Sequence, residues 1–444
     1  MSENLPSVIR IPALRQPFHA VLHIPGSKSI TNRALPLAAL ADGTSTLTNV
    51  LFAQDTQLMV DALKRLGFDL AVDAAAQSVQ IHGNAGRIPT AGCELFCGNS
   101  GTTIRFLTAI CTGSPGTYTL DGVERMRQRP IGELASALQA LGGNVKWLGS
   151  PGFPPLQAGG TGLTGGKCRF ADVQSSQFIS AVLMAAPLAR CPVDVILEGP
   201  VTSEPYVRMT LAMMEQFGVS TTTVADPKSA EALRTIRIPA PTTYKARNYA
   251  IEPDASNASY FLAATALTPG ATVVVKGLGR NSLQGDVLFA DILHQMGAEL
   301  VLHADEIHLK GPAKLSGLSI NMNAVPDMVQ TLAVVALFAQ GPTRIFNVGN
   351  LRVKETDRLA ALETELRKLG AQAATTGDGI CIIPPSKVVP ARISTYNDHR
   401  MAMAFAVAGL RVDGVEIENP GCTAKTYPEF FRDFFAAVGL HGIL

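Results

Sequence analysis

The sequence predicts an α/β protein of six similar units, grouped as two domains of three. Three observations carry this expectation: a glycine-terminated amphipathic helix recurs at an even interval, a small-residue apolar helix precedes each copy, and short β-rich runs lie between and after them.

The glycine-terminated stretches are MVDALKRLG, LASALQALGG, LAMMEQFG, FADILHQMG, LETELRKLG and FRDFFAAVG. Their closing residues are Gly67, Gly142, Gly218, Gly297, Gly370 and Gly439, so neighbours lie between 69 (439 − 370) and 79 (297 − 218) residues apart. A glycine there suits a helix end, where a left-handed residue closes the last turn without steric cost. Each stretch has one polar face and can meet water.

The companion helices run in the same order: RALPLAALADG, IRFLTAICTG, FISAVLMAAPLARC, YFLAATALTPG, MVQTLAVVALFAQG and RMAMAFAVAG. They are apolar nearly all round and are expected in the interior. The β-rich runs TSTLTNV, TYTLDGV, VDVILEGP, TVVVKGLG, TRIFNVGN and VEIENPG follow them, so each unit reads helix, strand, helix, further strands.

Composition narrows the function. Of 444 residues, 47% are hydrophobic and 16% charged, against about 25% charged in an average chain, so each charge is informative. With 37 basic and 36 acidic side chains the net charge is +1, which offers no general field for nucleic acid or an anionic membrane. Small ligands are the expected partners. The apolar stretches Phe178 to Ala189 and Leu332 to Ala339 fall short of the roughly 20 residues of a membrane span. The start, MSENLPSVIRIPALRQ, lacks the pattern of a secretory leader, so a cytoplasmic protein is expected. Seven cysteines without a CxxC pair read as reduced core thiols, neither zinc ligands nor a disulfide frame.

The polar residues fall on two edges of the repeat. One is the start of the apolar helix. HIPGSKSITNR is not a P-loop, because Ser27 separates Gly26 from Lys28 and Val21 stands where the first glycine is needed. A helix N-terminus still attracts anions, so Lys28, Ser29 and Arg33 are candidates, as are Asn99, Gly101 and Arg105 of CGNSGTTIR, Ser175, Ser176 and Gln177 of VQSSQF, Asp327 of VPDMVQ, and Asn397, Asp398, His399 and Arg400 of YNDHRMA. Ser175, Ser256 and Asn257 read first as helix caps, and Asp55 and Asp398 as structural partners.

The other edge is the loop before the amphipathic helix. It carries Arg125 and Arg129, Ser203 and Tyr206, then Arg352, Lys354, Glu355 and Arg358, and finally Lys425. Lys354 and Arg358 are like charges at i,i+4 and should repel, so an anion is expected between them. The pattern predicts a site for small ligands rich in phosphate or carboxylate, held by forked Arg contacts. Asp327 and Glu355 are the carboxylates best placed for acid–base work.

The motifs PGSKSITNRA, GNSGTTIR, RMRQRPI, SSQFISA, VKETDR, YNDHRMAM and CTAKTYP occur in this order along nearly the whole chain. In that series the sequence closely resembles the 5-enolpyruvylshikimate-3-phosphate (EPSP) synthase family, the 3-phosphoshikimate 1-carboxyvinyltransferases of aromatic amino acid biosynthesis. The resemblance implies a two-domain inside-out α/β barrel with three βαβαββ units per domain, residues 1–26 and 253–444 forming one domain and 27–252 the other, with the active site in the cleft between them. It implies that the 5-hydroxyl of shikimate 3-phosphate attacks C2 of phosphoenolpyruvate while C3 is protonated, and that the tetrahedral adduct then loses phosphate. Neither metal nor organic cofactor is implied, and the enzyme would be a monomer.

By motif, shikimate 3-phosphate would be held by Lys28, Ser29, Arg33, Ser175, Ser176, Gln177, Ser203, Tyr206, Asp327, Asn350 and Lys354. Phosphoenolpyruvate would lie against Lys28, Gly101, Arg105, Arg129, Gln177, Arg358, Arg400 and Lys425. Asp327 would take the hydroxyl proton, Glu355 would serve C3, and Lys28 and Lys425 would steady the adduct.

Four positions depart from the commonest pattern: Leu351 for Trp, Pro253 for Gly, Ser100 for Ala and Phe106 for Pro. The last suggests altered sensitivity to glyphosate, an inhibitor of the phosphoenolpyruvate site in this family. Two rival readings are an enolpyruvyl transferase acting on UDP-N-acetylglucosamine and a non-catalytic ligand-binding protein of the same fold. The opening SKS, where the first rival typically has KN, and the retention of Asp327, Glu355 and Lys425 speak against them.

Overall fold

The structure is a computed structural model that describes residues 5–171, 173–226 and 229–443. It separates into two compact units, one made of the chain up to Pro25 together with everything from Glu252, the other of Gly26–Ile251. Among the described residues no helix is long and apolar enough to cross a membrane.

Within Gly26–Ile251 the second repeat shows the plan most plainly. Strand Gly92–Phe96 leads into the buried helix Gly101–Thr112, then strand Pro115–Asp121, the amphipathic helix Gly132–Ala140, and strands Asn144–Trp147 and Leu156–Thr161. The first two strands pair parallel across the helix, as a crossover demands, and the last two add antiparallel. The third repeat copies this around the buried helix Ser176–Ala185 and the helix Glu204–Gln216. The first, with helices Lys28–Leu40 and Gln54–Arg65, takes its parallel entry strands from the far end of the segment, Tyr244–Lys245 and Asn248–Ala250.

The other unit repeats the plan around buried helices Ala255–Leu267, Val329–Ala336 and His399–Gly409 and amphipathic helices Leu288–Gln295, Arg358–Lys368 and Phe430–Ala437. Here the chain start completes two repeats. Strand His19–Leu22 enters beside Thr272–Lys276, and Val8–Ile11 closes the last sheet against Val415–Glu418.

The periodicity reading holds at the level of single residues. All six closing glycines have positive φ, from 79° at Gly439 to 121° at Gly297. Every residue of Gly101–Thr112, Ala255–Leu267, Val329–Ala336 and His399–Gly409 is buried, and Lys28, Ser29 and Gln177 are the exceptions in the other two apolar helices. Apolar burial of about 1.5–3 kcal/mol per large side chain makes these helices the interior of their units. The expected barrel is not a hydrogen-bonded one. The described strands form seven open sheets, because each unit's outer strands turn back on their own sheet and leave no ladder to the next.

The thiols also differ from expectation. None of the seven cysteines is paired, but only Cys97, Cys111 and Cys168 are buried, and Cys191 is exposed.

Candidate functional site

In the Gly26–Ile251 unit, serines set the helix starts. Ser27, Ser100 and Ser175 cap the three buried helices, accepting from the backbone N–H of Ile30, Thr103 and Gln177. Such a cap is worth about 1 kcal/mol, which gives a physical role to Ser100, the residue standing where Ala is more common. The caps place Lys28, Gly101 and Gln177 in the first turns of their helices.

The side chains there are cross-linked. Asn32 Nδ2 donates to Thr102 Oγ1 at 2.7 Å. Arg105 donates to Gln177 Oε1 at 2.6 Å, to Ser175 Oγ at 3.4 Å and to the Pro130 carbonyl at 3.2 Å, with its guanidinium 4.8 Å from the Phe178 ring centre. Arg129 donates to the Asn99 carbonyl and side chain at 3.0 and 3.2 Å. Gly101 makes this geometry possible, since a Cβ there would lie 2.8 Å from an Arg129 terminal nitrogen and 3.3 Å from Gln177 Oε1. Lys28 Nζ stands 3.6 Å from the buried Asp55 carboxylate, so Asp55 is the structural partner the sequence suggested. Ser176 is buried beside these groups on the same helix start.

Arg33, expected among the contacts to shikimate 3-phosphate, is enclosed by protein groups. It is 1% exposed, and it donates to Thr210 Oγ1, Ser180 Oγ and the carbonyls of Ser29 and Tyr206 at 2.8–3.3 Å. Its guanidinium lies 5.1 Å from the Phe106 ring centre and 5.9 Å from that of Tyr206. Burial pulls it down to about 10, with Tyr206 acting in the opposite sense. Arg33 thus ties the Ser29 backbone to the first turn of helix Glu204–Gln216, where Tyr206 lies. Ser203, at the N-cap of that helix, is buried at φ 57°, a conformation that costs a non-glycine residue about 1–3 kcal/mol.

In the other unit, Arg358 is the centre. Its Nε and one terminal nitrogen bond both oxygens of Asp398 at 2.7 and 3.3 Å, and the terminal nitrogens reach Asp327 at 2.9 Å and Glu355 at 3.0 Å. Burial, the largest single influence, works to lower this guanidinium, but Asp398, Glu355 and Asp327 together overcome it and hold it above its usual range. This corrects the expectation of an external anion between Lys354 and Arg358. Arg358 is neutralised by the protein's own carboxylates, so the supposed i,i+4 repulsion does not require one.

Arg400 bonds Asp327 Oδ2 at 3.0 Å and Ser256 Oγ at 3.3 Å. Lys425 Nζ lies 3.9 Å from Glu355 Oε1. Asp327, Glu355, Arg358, Arg400 and Lys425 therefore form one connected cluster, although they come from two different repeats. Lys354 is half-buried, directly before Glu355. Asn350 sits in the preceding turn, and neither of its amide atoms has a partner among the described residues although both are shielded from water. Gln330, fully buried three residues after Asp327, has the same property.

Sequence reasoning named Asp398 as a structural partner, and it bonds Arg358, but it missed other supports of this cluster. Ser256 is not the cap of its helix, nor is Asn257; Asp254 is, accepting from Asn257 N at 2.8 Å. Asp398 caps its own helix, accepting from Arg400 N at 2.9 Å. Just before it, Tyr396 and Asn397 are both left-handed, with φ 54° and 55°. The fully buried Glu365 holds this strained turn, accepting from Tyr396 Oη at 2.7 Å and Ser394 N at 3.2 Å. The polar Tyr-Asn pair ahead of a helix cap was the only signal available. Among the described residues no cluster of three or more His, Cys, Asp or Glu is placed to hold a metal ion.

Six similar α/β repeats, the last with a three-stranded sheet, and two cation-rich sets of helix starts and loops define a protein suited to small, multiply anionic ligands. Comparison with known proteins gives the same class a name. Residues 13–434 match the family model described as EPSP synthase (3-phosphoshikimate 1-carboxyvinyltransferase). The chain is 45% identical over 430 residues to the 3-phosphoshikimate 1-carboxyvinyltransferase of a Nostoc species, covering 97% of this chain and 99% of that one. It is 47% identical over 415 residues to that of Shewanella denitrificans, covering 93% and 95%. A solved EPSP synthase structure from Acinetobacter baumannii superposes with a TM-score of 0.80 at 26% identity, covering 97% of this chain and 98% of that one. The chain belongs to the EPSP synthase family.

Proposed function

We propose that this chain transfers the enolpyruvyl group of phosphoenolpyruvate to the 5-hydroxyl of shikimate 3-phosphate with release of phosphate, and that the residue sets of its two units act on the same pair of substrates. Family membership supports the reaction and disfavours UDP-N-acetylglucosamine as acceptor. The observation that carries the residue assignment is the Asp327–Arg358–Glu355 link, which fixes two carboxylates on one guanidinium. Asp327 would accept the hydroxyl proton as C2 is attacked, and Glu355 would handle the proton at C3.

The cations then have separable roles. Lys28, Arg105, Arg129, Arg400 and Lys425 would meet the phosphate and carboxylate of phosphoenolpyruvate, with Gly101 and Gln177 lining the same place. Ser29, Ser175, Ser176, Gln177, Ser203, Tyr206, Asn350 and Lys354 would meet shikimate 3-phosphate, together with Lys28 and Asp327. Arg33 and Arg358, which the family motifs assign to shikimate 3-phosphate and phosphoenolpyruvate, would also act by holding those groups. Binding of the phosphoenolpyruvate carboxylate by Arg400 would loosen its bond to Asp327 and so release the base only when the second substrate is present. Cations fixed before the reaction stabilise charge as it moves through the adduct. Action as a monomer in the cytoplasm belongs to the same proposal.

The test is phosphate release from the two substrates by wild type, Asp327→Asn and Glu355→Gln. Turnover by wild type and a fall of about 10²-fold or more in each variant is expected. A silent wild type would overturn the reaction, and full activity in both variants would overturn the roles.

A further inference from the structure

The direction of Arg400 is set from a side of the site that no motif marks. One terminal nitrogen of this guanidinium donates to Asp327 Oδ2 at 3.0 Å and to Ser256 Oγ at 3.3 Å. A serine hydroxyl has one proton and two lone pairs. Ser256 gives its proton to Asp286 Oδ2 in a very short contact, so its lone pairs are left to face Arg400. Both residues are buried, Ser256 at 8% and Asp286 at 3% exposed, and water is poorly placed to substitute for either.

The helix does not need this hydroxyl. Asp254 already caps Ala255–Leu267, and Asp286 belongs to another segment, the short turn Gly285–Val287 ahead of Leu288–Gln295. A carboxylate from a neighbouring element therefore polarises a serine whose remaining function is to receive a guanidinium hydrogen.

We propose that Asp286 is a positioning residue for the reaction, acting through Ser256 to hold Arg400 in line for the carboxylate of phosphoenolpyruvate. The inference rests on the assignment of Arg400 to phosphoenolpyruvate given above. It differs from a purely structural role in one respect: the effect is confined to one substrate and passes entirely through Ser256.

The experiment is a double-mutant cycle with Ser256→Ala, Asp286→Ala and the pair, read as separate KM values for phosphoenolpyruvate and shikimate 3-phosphate. Each single variant should raise KM for phosphoenolpyruvate by about five- to tenfold, the scale of one lost hydrogen bond, and leave KM for shikimate 3-phosphate within about twofold. The pair should be no worse than either single variant. Asp286→Asn keeps an acceptor for the hydroxyl and should stay near wild type, which also covers the case in which Asp286→Ala does not fold. Additive effects, equal shifts for both substrates, or no shift at all overturn the relay. Arg400→Lys separates the two layers: a normal phosphoenolpyruvate KM there overturns the assignment of Arg400 and the inference with it, whereas a raised KM in Arg400→Lys with normal Ser256→Ala kinetics overturns the relay alone.

Discussion

Replacing Arg358 by Leu should destabilise the unit formed by the chain start and the residues from Glu252 before it affects any ligand. The guanidinium is 1% exposed and faces three carboxylates, of which Asp398 is fully buried and Glu355 8% exposed. Removing one partner of a buried ion pair costs about 3–5 kcal/mol, because the remaining charge has neither water nor a counterion. Asp327 keeps Arg400 and Glu355 keeps Lys425 as partners, so the loss falls chiefly on Asp398 and stays within that range. For a folding unit of about 150–250 residues each kcal/mol moves Tm by about 2–4 °C, so the expected drop is about 6–20 °C. Scanning calorimetry of the ligand-free protein measures it. Asp398→Asn in the same background should recover part of the loss, since it removes the most deeply buried of the three carboxylates. If Arg358 acted mainly as a direct phosphoenolpyruvate ligand, the ligand-free variant would melt within about 2 °C of wild type, and that result would refute the reasoning.

Other outcomes follow from single features. Gly101→Ala sets a methyl 2.8 Å from the Arg129 guanidinium, so KM for phosphoenolpyruvate should rise well above its change for shikimate 3-phosphate; equal changes in steady-state kinetics would contradict this. Phe106→Pro removes the ring beneath Arg33 and a helical N–H, and should shift the inhibition constant for glyphosate; an unchanged constant counts against a role for this position. Cys191 is exposed, whereas burial pushes the Cys97, Cys111 and Cys168 thiols up, so peptide mapping after mild alkylation should find Cys191 labelled before those three. Asp121 and Asp194 are held below the usual carboxylate value, chiefly by hydrogen bonds from Arg127 and Arg237. A depressed folded value contributes stability above the unfolded pKa that is lost as pH falls, so Asp121→Asn and Asp194→Asn should flatten the loss of stability below about pH 4. An unchanged acid slope in both would show that these pairs add nothing.

Much of this architecture was legible in the chain because the repeat is long and its punctuation simple. A glycine after an amphipathic helix has one common use, and all six positions have the left-handed backbone it implies. What stayed hidden depends on partners far away in sequence. Nothing in VIRI or HAVL announces that the chain start completes the last and fourth repeats, because a strand's partner is set by closure of the whole unit. The cations at the helix starts were recognisable because a positive side chain opposes the local dipole. Asp55 and Asp398 could be named as structural partners, but not which cation each would meet. Reading Lys354 and Arg358 as a repelling i,i+4 pair put both on one helix, but that helix begins at Arg358 with Lys354 in extended backbone before it, and Asp398, 40 residues away, bonds Arg358. Ser256 looked like a cap for the same reason, since its bonds to Asp286 and Arg400 span 30 and 144 residues.

The central claim is that side chains of both units hold the same substrate. Titration of phosphoenolpyruvate into protein saturated with shikimate 3-phosphate tests it, using Arg129→Ala from one unit and Arg400→Ala from the other. The account predicts that each variant loses at least about tenfold in phosphoenolpyruvate affinity, as expected for removal of a charged hydrogen-bonding partner. Wild-type affinity in either variant would contradict it.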